Sequence, residues 1–141
     1  MRTSARNHFE GQIVDVKSGP VDDEITLRTR DELNIVAIIT RGSAEALGLT
    51  KGSKAFALVK ASSVIVLVDY ESGKVSARNY IAGKISAVTK GAVSSEVQIT
   101  VPSGAAIVAI VTNASVERLA LSIGKSASAI FKASSVIVGI E

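Results

Sequence analysis

The sequence predicts an all-β protein with short helices, built as two tandem five-stranded barrels. Three observations predict it. First, Ser4-Ala5-Arg6-Asn7 returns as Ser76-Ala77-Arg78-Asn79, an offset of 76 − 4 = 72 residues, and this offset aligns the rest of the chain without a gap. Comparing residues 4–69 with 76–141, 29 of 66 positions are identical, so one unit is written twice. Second, most segments of each copy are β-branched and alternate apolar with polar, the period of a half-buried strand. Third, each copy breaks once, at the same place, into a short stretch with helical spacing.

The elements of the first copy follow in order. Gln12–Val16 alternates partly and runs into the turn Ser18-Gly19-Pro20. Glu24–Arg28 alternates polar and apolar, and Leu33–Ile39 is an apolar β-branched run that reads as a buried strand. Ser43–Leu49 is helix-like, with Gly48 as its stop. Lys51-Gly52 turns the chain into two more strands, Ala55–Val59 and Ser63–Val68. Five strands with a helix after the third is the layout of an OB-like barrel. The second copy repeats it, which divides the chain into modules 1–70 and 71–141. Asp69–Lys74 forms the joint, too short to be a free linker.

A unit of this size buries only about 60% of its unfolded surface and is marginal alone. The chain is nevertheless 47% hydrophobic, so the copies are expected to pack together, to oligomerise, or both. There is no cysteine, which excludes disulfides and thiolate chemistry. Met1–His8 has no apolar core segment, and the richest apolar run, Ala55–Val68, is short and interrupted by Lys60. The expectation is a cytoplasmic protein with no membrane partner. The net charge of +3 resides wholly in residues 71–141, with seven Lys/Arg against four Asp/Glu, while residues 1–70 carry nine of each. That excess is too small for a nucleic-acid footprint.

Catalysis finds little support. The single histidine, His8, aligns with Tyr80. No carboxylate pair recurs at catalytic spacing, no His/carboxylate cluster suits a metal cation, and no phosphate-binding Gly-rich loop is present. The reading is a protein that is not an enzyme.

What does recur is a set of donors. Ser4 and Arg6 alternate in a segment expected to be extended, so both can face one way. Lys60 and Ser62 alternate likewise, leaving the backbone N–H of Ala61 available. Thr40 ends the third strand, and Ser43 lies at the mouth of the short helix, where unpaired N–H groups collect. The set returns as Ser76, Arg78, Thr112, Ser115, Lys132, Ala133 and Ser134. Taken singly, Ser43 reads as a helix cap, Lys60 as a snorkelling strand-edge lysine and Arg6 as a solvated terminal charge. Duplication joins them: surface positions such as Arg28/Thr100 and Arg30/Pro102 have drifted, and the donor set has not. Many N–H and O–H donors, some positive charge and no carboxylate form the shell that a tetrahedral dianion requires.

Ser-Ala-Arg-Asn, Gly-x-Val-x-x-Glu (Gly19–Glu24 and Gly91–Glu96) and the Val- or Phe-Lys-Ala-Ser-Ser-Val segments together resemble the molybdate-binding molbindins in their tandem form, over essentially the whole chain. The resemblance implies an OB-like fold for each copy. It also implies a homotrimer with molybdate or tungstate held between modules. One site class would use Ser4, Arg6, Thr40, Ser43, Lys60, Ala61 and Ser62, and its counterpart Ser76, Arg78, Thr112, Ser115, Lys132, Ala133 and Ser134. A second class, nearer the three-fold axis, is built in the family on a Gly-Ala-Val-Asn-Ala-Glu turn. The first copy departs from it as Gly19-Pro-Val-Asp-Asp-Glu24, where Asp22 and Asp23 would bring carboxylates toward an anion and Pro20 removes a backbone donor. The second class is therefore expected to fail in copy one. In copy two it would rest on Gly91, Val93 and Ser94.

A shell of donors without acceptors disfavours hydrogen phosphate, whose proton needs an acceptor, and leaves sulfate to be excluded by size. Two other readings compete. An OB-type oligonucleotide binder needs aromatic platforms, yet the five aromatics, Phe9, Phe56, Tyr70, Tyr80 and Phe131, do not recur in register. A purely structural oligomerisation module accounts for the apolar content but not for the duplicated donors.

Overall fold

The computed structural model describes residues 1–141 and contains ten strands, two short α-helices and two 3-10 turns. In the first repeat these are β1 (Asn7–Ser18), β2 (Asp22–Thr29), β3 (Asn34–Thr40), α1 (Arg41–Ala46), β4 (Lys54–Val59), a 3-10 turn (Ala61–Ser63) and β5 (Ile65–Leu67). The second repeat gives β6 (Asn79–Lys90), β7 (Ser94–Thr100), β8 (Ala106–Thr112), α2 (Asn113–Arg118), β9 (Ser126–Phe131), a 3-10 turn (Ala133–Ser135) and β10 (Ile137–Gly139). The expected element order is found. The mainly β, OB-like architecture is as the sequence predicts, in two five-stranded antiparallel sheets.

The strands form where the pattern has period 2. Ile25, Leu27 and Thr29 of β2 are buried and alternate with more exposed residues, and Ile35 and Ala37 of β3 do the same. β1 and β6 run longer than expected because each carries a register shift, between Ile13 and Asp15 and between Ile85 and Ala87. Such a bulge bends a long strand so that it can pair with one neighbour at each end. β1 accordingly pairs with β4 over Asn7–Gln12 and with β2 over Gly11–Ser18.

The two compact units do not follow the repeat boundary. One comprises Met1–Val59 with Lys132–Glu141; the other is Lys60–Phe131. The sequence places the fifth strand of each copy in its own barrel. Instead the first sheet runs β10-β4-β1-β2-β3 and the second β5-β9-β6-β7-β8. Each barrel is completed by the last strand of the other repeat. Lys60–Val66 and Lys132–Val138 are identical in sequence, so their shared residues fill either barrel equally well.

The first difference between the exchanged segments is Leu67 against Gly139, and it is matched. Gly139 lies opposite Phe56, and a Cβ built at Gly139 would stand 2.3 Å from Cζ of that ring. In the other unit Leu67 lies opposite Ser128. Large faces small in both. Without exchange, Leu67 would meet Phe56 and Gly139 would meet Ser128, one pair overpacked and the other void.

Each core is aliphatic. In the first unit Ile13, Ile25, Leu27, Ile35 and Val59 are at most 1% exposed, and in the second Ile85, Val97, Ile99, Ile107 and Phe131 are equally buried. Burying one such side chain contributes about 1.5–3 kcal/mol. Val136 and Val138 in the first unit, and Val64 and Val66 in the second, are brought by the exchanged segments.

Candidate functional site

Ser4 and Arg6 precede the first strand; β1 begins only at Asn7, so the expected extended alternation is not part of the sheet. Both side chains are exposed, as are Ser76 and Arg78 ahead of β6. The last residue of the motif does different work. Asn7 is 2% exposed, pairs with Val59 in the ladder and donates its side-chain N–H to the Val59 carbonyl at 3.2 Å. Asn79, 1% exposed, pairs with Phe131. This asparagine is a buried pin, a role the sequence reading did not assign; its signal is that it recurs where β1 and β6 meet the ends of β4 and β9. Arg6 directly precedes Asn7 and Lys60 directly follows Val59, so the two echoed motifs of a repeat flank one cross-strand pair.

Lys60 does not lie in an apolar strand. It leads into the 3-10 turn Ala61–Ser63, closed by Ser63 N–H donating to the Lys60 carbonyl at 2.9 Å. The strand-like alternation expected of Lys60 and Ser62 is therefore absent, yet the turn gives the same exposure: Lys60 and Ser62 outward, Ala61 3% exposed beneath them. The first N–H groups of such a turn have no partner within it, so those of Ala61 and Ser62 are available by geometry. Lys132, Ala133 and Ser134 repeat the arrangement, with Ala133 at 4%. The turn Ala133–Ser135 packs against β3 in the first unit, and Ala61–Ser63 against β8 in the second.

Thr40 and Ser43 form the third piece. Thr40, not Ser43, is the N-cap of α1: its Oγ1 accepts the Ser43 N–H at 3.1 Å and donates to Ser43 Oγ at 2.8 Å. Ser43 sits inside the first turn. The reason is local, since Thr40 leaves β3 in extended conformation (φ −65°, ψ 146°), the geometry a cap needs. Thr112 and Ser115 reproduce both bonds, at 3.1 and 2.9 Å. The Ser43 N–H expected to serve an anion is thus spent on the cap. The hydroxyls remain: Ser43 Oγ accepts from Thr40, so its own proton is free to donate outward.

Along one sheet these pieces are not all together. Asn7 marks one end of β1. Ser18, at the other end, pairs with Asp23, and Asp22 pairs with Thr40. Within a unit, then, Ser4 and Arg6 lie at one end of the β1–β2–β3 sheet, and Thr40 and Ser43 at the other.

The second turn shows a sharper difference between repeats. Gly19 N–H donates to the Asp22 carbonyl and Gly91 N–H to the Ser94 carbonyl, both at 2.9 Å. Gly91, Val93 and Ser94 are exposed. In the second repeat Asn113 clamps this turn, its Nδ2 donating to the Gly91 carbonyl at 2.9 Å and its Oδ1 accepting from buried Ser95 Oγ. In the first repeat Asp23 replaces Ser95 and Arg41 replaces Asn113. Asp22 is exposed, but Asp23 is 4% exposed and its Oδ1 has no hydrogen-bond partner. The expectation that both carboxylates face a ligand is corrected: successive strand residues point to opposite faces, and only Asp22 points outward.

His8 is exposed on β1 with its ring edge-on to Phe56 at 5.3 Å. No group of three or more His, Cys, Asp or Glu could hold a metal ion, and no helix is long and apolar enough to cross a membrane. Phe9, Phe56 and Phe131 are buried.

Fold and repeat together define the class as a tandem OB-like β module with duplicated, carboxylate-free donor sets. Residues 3–66 and 75–138 each match the TOBE domain, and the chain belongs to that family, with two copies in tandem. It is 42% identical over 141 residues to the molybdenum transport protein ModE of Herbaspirillum seropedicae, covering 100% of this chain and 52% of that one. To the molybdenum-pterin-binding protein MopA of Rhodobacter capsulatus it is 37% identical over 140 residues, covering 99% and 53%. The chain thus spans about half the length of the curated relatives it matches. Among solved structures, the cytoplasmic molybdate-binding protein ModG, in a form with molybdate bound, matches at 37% identity with a TM-score of 0.95 over 100% of both chains.

Proposed function

We propose that this chain binds molybdate or tungstate as the intact dianion and stores or buffers it, without catalysis, in the cytoplasm. The observation that carries the reading is the donor set kept in both repeats, most of it exposed. In the first repeat it is Ser4, Arg6, Thr40, Ser43, Lys60, Ser62 and the backbone of Ala61. In the second it is Ser76, Arg78, Thr112, Ser115, Lys132, Ser134 and the backbone of Ala133. No carboxylate stands among them. Full-length likeness to ModG, a molybdate-binding protein, supports the same ligand.

The charged groups neutralise the dianion, while hydroxyls and turn N–H groups donate to its oxygens. Ser4 and Arg6 lie at one end of a sheet and Thr40 and Ser43 at the other, so a complete shell draws on two modules. Assembly into a homotrimer supplies them. A second class of site rests on Gly91, Val93 and Ser94, where Asn113 holds the turn; the first repeat lacks it because Asp22 faces outward beside Pro20. An oligonucleotide reading loses its stacking platforms, since three of the five aromatic rings are buried.

Titration calorimetry with molybdate, tungstate, sulfate and phosphate tests the reading. Saturable binding of molybdate and tungstate is expected, with phosphate the weakest because its proton finds no acceptor. Absence of heat with molybdate and tungstate at micromolar protein would overturn it.

A further inference from the structure

We infer that Asp23 and Arg41, two opposite charges peculiar to the first repeat, set the oxyanion affinity of the Thr40–Ser43 hydroxyl pair apart from that of Thr112–Ser115. This inference rests on the function proposed above. Asp23 Oδ1 is the one buried side-chain polar atom left without a hydrogen-bond partner. The second repeat fills the equivalent place differently. There Ser95, the counterpart of Asp23, reaches the side chain of Asn113, the residue directly after Thr112. Asn113 is tied on both sides, its Oδ1 to Ser95 and its Nδ2 to the Gly91 carbonyl, and it carries no charge to offer a ligand.

In the first repeat Arg41 occupies the place of Asn113. Its backbone N–H is fixed to the Val21 carbonyl at 2.9 Å, just as Asn113 N–H is fixed to Val93. Its side chain instead turns to Glu45, Nε to Oε1 at 3.1 Å, with the two side chains 53% and 68% exposed. An exposed pair of this kind holds its arginine weakly. So an exposed guanidinium stands between Thr40 and Ser43 in the chain, and a buried carboxylate with one unpartnered oxygen stands one ladder position from Thr40, since Asp23 pairs with Ile39. A dianion arriving at the hydroxyls meets both. Arg41 can leave Glu45 and attract it; Asp23 repels it from a buried position, where water screens its charge less. Neither term exists in the second repeat.

The test is an exchange of residues between repeats. In a chain whose second hydroxyl pair is removed (Thr112→Val with Ser115→Ala), molybdate calorimetry reports the first-repeat pair. There Arg41→Asn is expected to weaken binding about tenfold, Arg41→Lys to retain most of it, and Asp23→Ser to tighten it about tenfold. In the opposite background (Thr40→Val with Ser43→Ala) the same substitutions should leave the Kd unchanged. A purely structural role of Arg41, resting on its planar fork rather than its charge, would not be met by Arg41→Lys. Equal shifts in the two backgrounds, or none in a chain that binds molybdate, would overturn this inference alone. Absence of molybdate binding by the unsubstituted chain removes the functional reading, and this inference with it.

Discussion

At the scale of single residues, the two repeats act as internal controls for each other. Gly48 ends α1 in the left-handed region at φ +62°, and Ala120 does so after α2 at φ +51°. An L-residue there carries a steric cost that glycine lacks. Ala120→Gly should therefore stabilise the fold by about 0.5–1 kcal/mol, seen as a thermal midpoint raised by about 2 °C. Asn7→Ala removes the buried donor to the Val59 carbonyl and should cost about 1–3 kcal/mol in denaturant unfolding; a neutral result would show that the asparagine is not the pin. This residue marks the limit of the sequence reading. Duplication made Ser-Ala-Arg-Asn conspicuous, and its chemistry suggested donors at Ser4 and Arg6. Burial, which separates Asn7 from Ser4 and Arg6, depends on where β1 starts, and no local signal fixes that. The cap was misplaced for a similar reason: Thr40 and Ser43 are both competent caps, and only the end of β3 decides between them.

At the scale of elements, strands and helices were legible because their periods are clean, whereas the partners of β5 and β10 were not. The exchanged segments share every residue from Lys60 to Val66 with Lys132 to Val138, so hydrophobic pattern alone cannot assign them. The information lies across the ladder, in Phe56 opposite Gly139 and Ser128 opposite Leu67. Placing leucine at position 139 should drive it into the Phe56 ring and destabilise the chain by about 1–3 kcal/mol. Adding Phe56→Ser recreates the Leu67–Ser128 pair and should recover most of the loss. Urea midpoints of the single and double variants decide it: a harmless Gly139→Leu, or a double variant no better than the single, would contradict the pairing rule.

At the scale of the whole molecule, duplication doubles the donor set while the neighbourhoods diverge. The second repeat carries the net charge and the clamped turn. The first carries the buried Asp23 and the exchangeable Arg41. The proposed donor residues stand out in the sequence because they stayed fixed while their surroundings drifted. Their placement was not legible, since it follows from strand register, which sets Arg6 and Thr40 at opposite ends of a sheet. Two exposed lysines then stand at equivalent points, each opening a 3-10 turn. The most direct measurement is the number of molybdate equivalents held per chain, by equilibrium dialysis with elemental analysis, for the unsubstituted protein, Lys60→Ala, Lys132→Ala and the double variant. Each single substitution is predicted to remove about half of the main sites and the pair nearly all. Undiminished molybdate in the folded double variant would contradict the account.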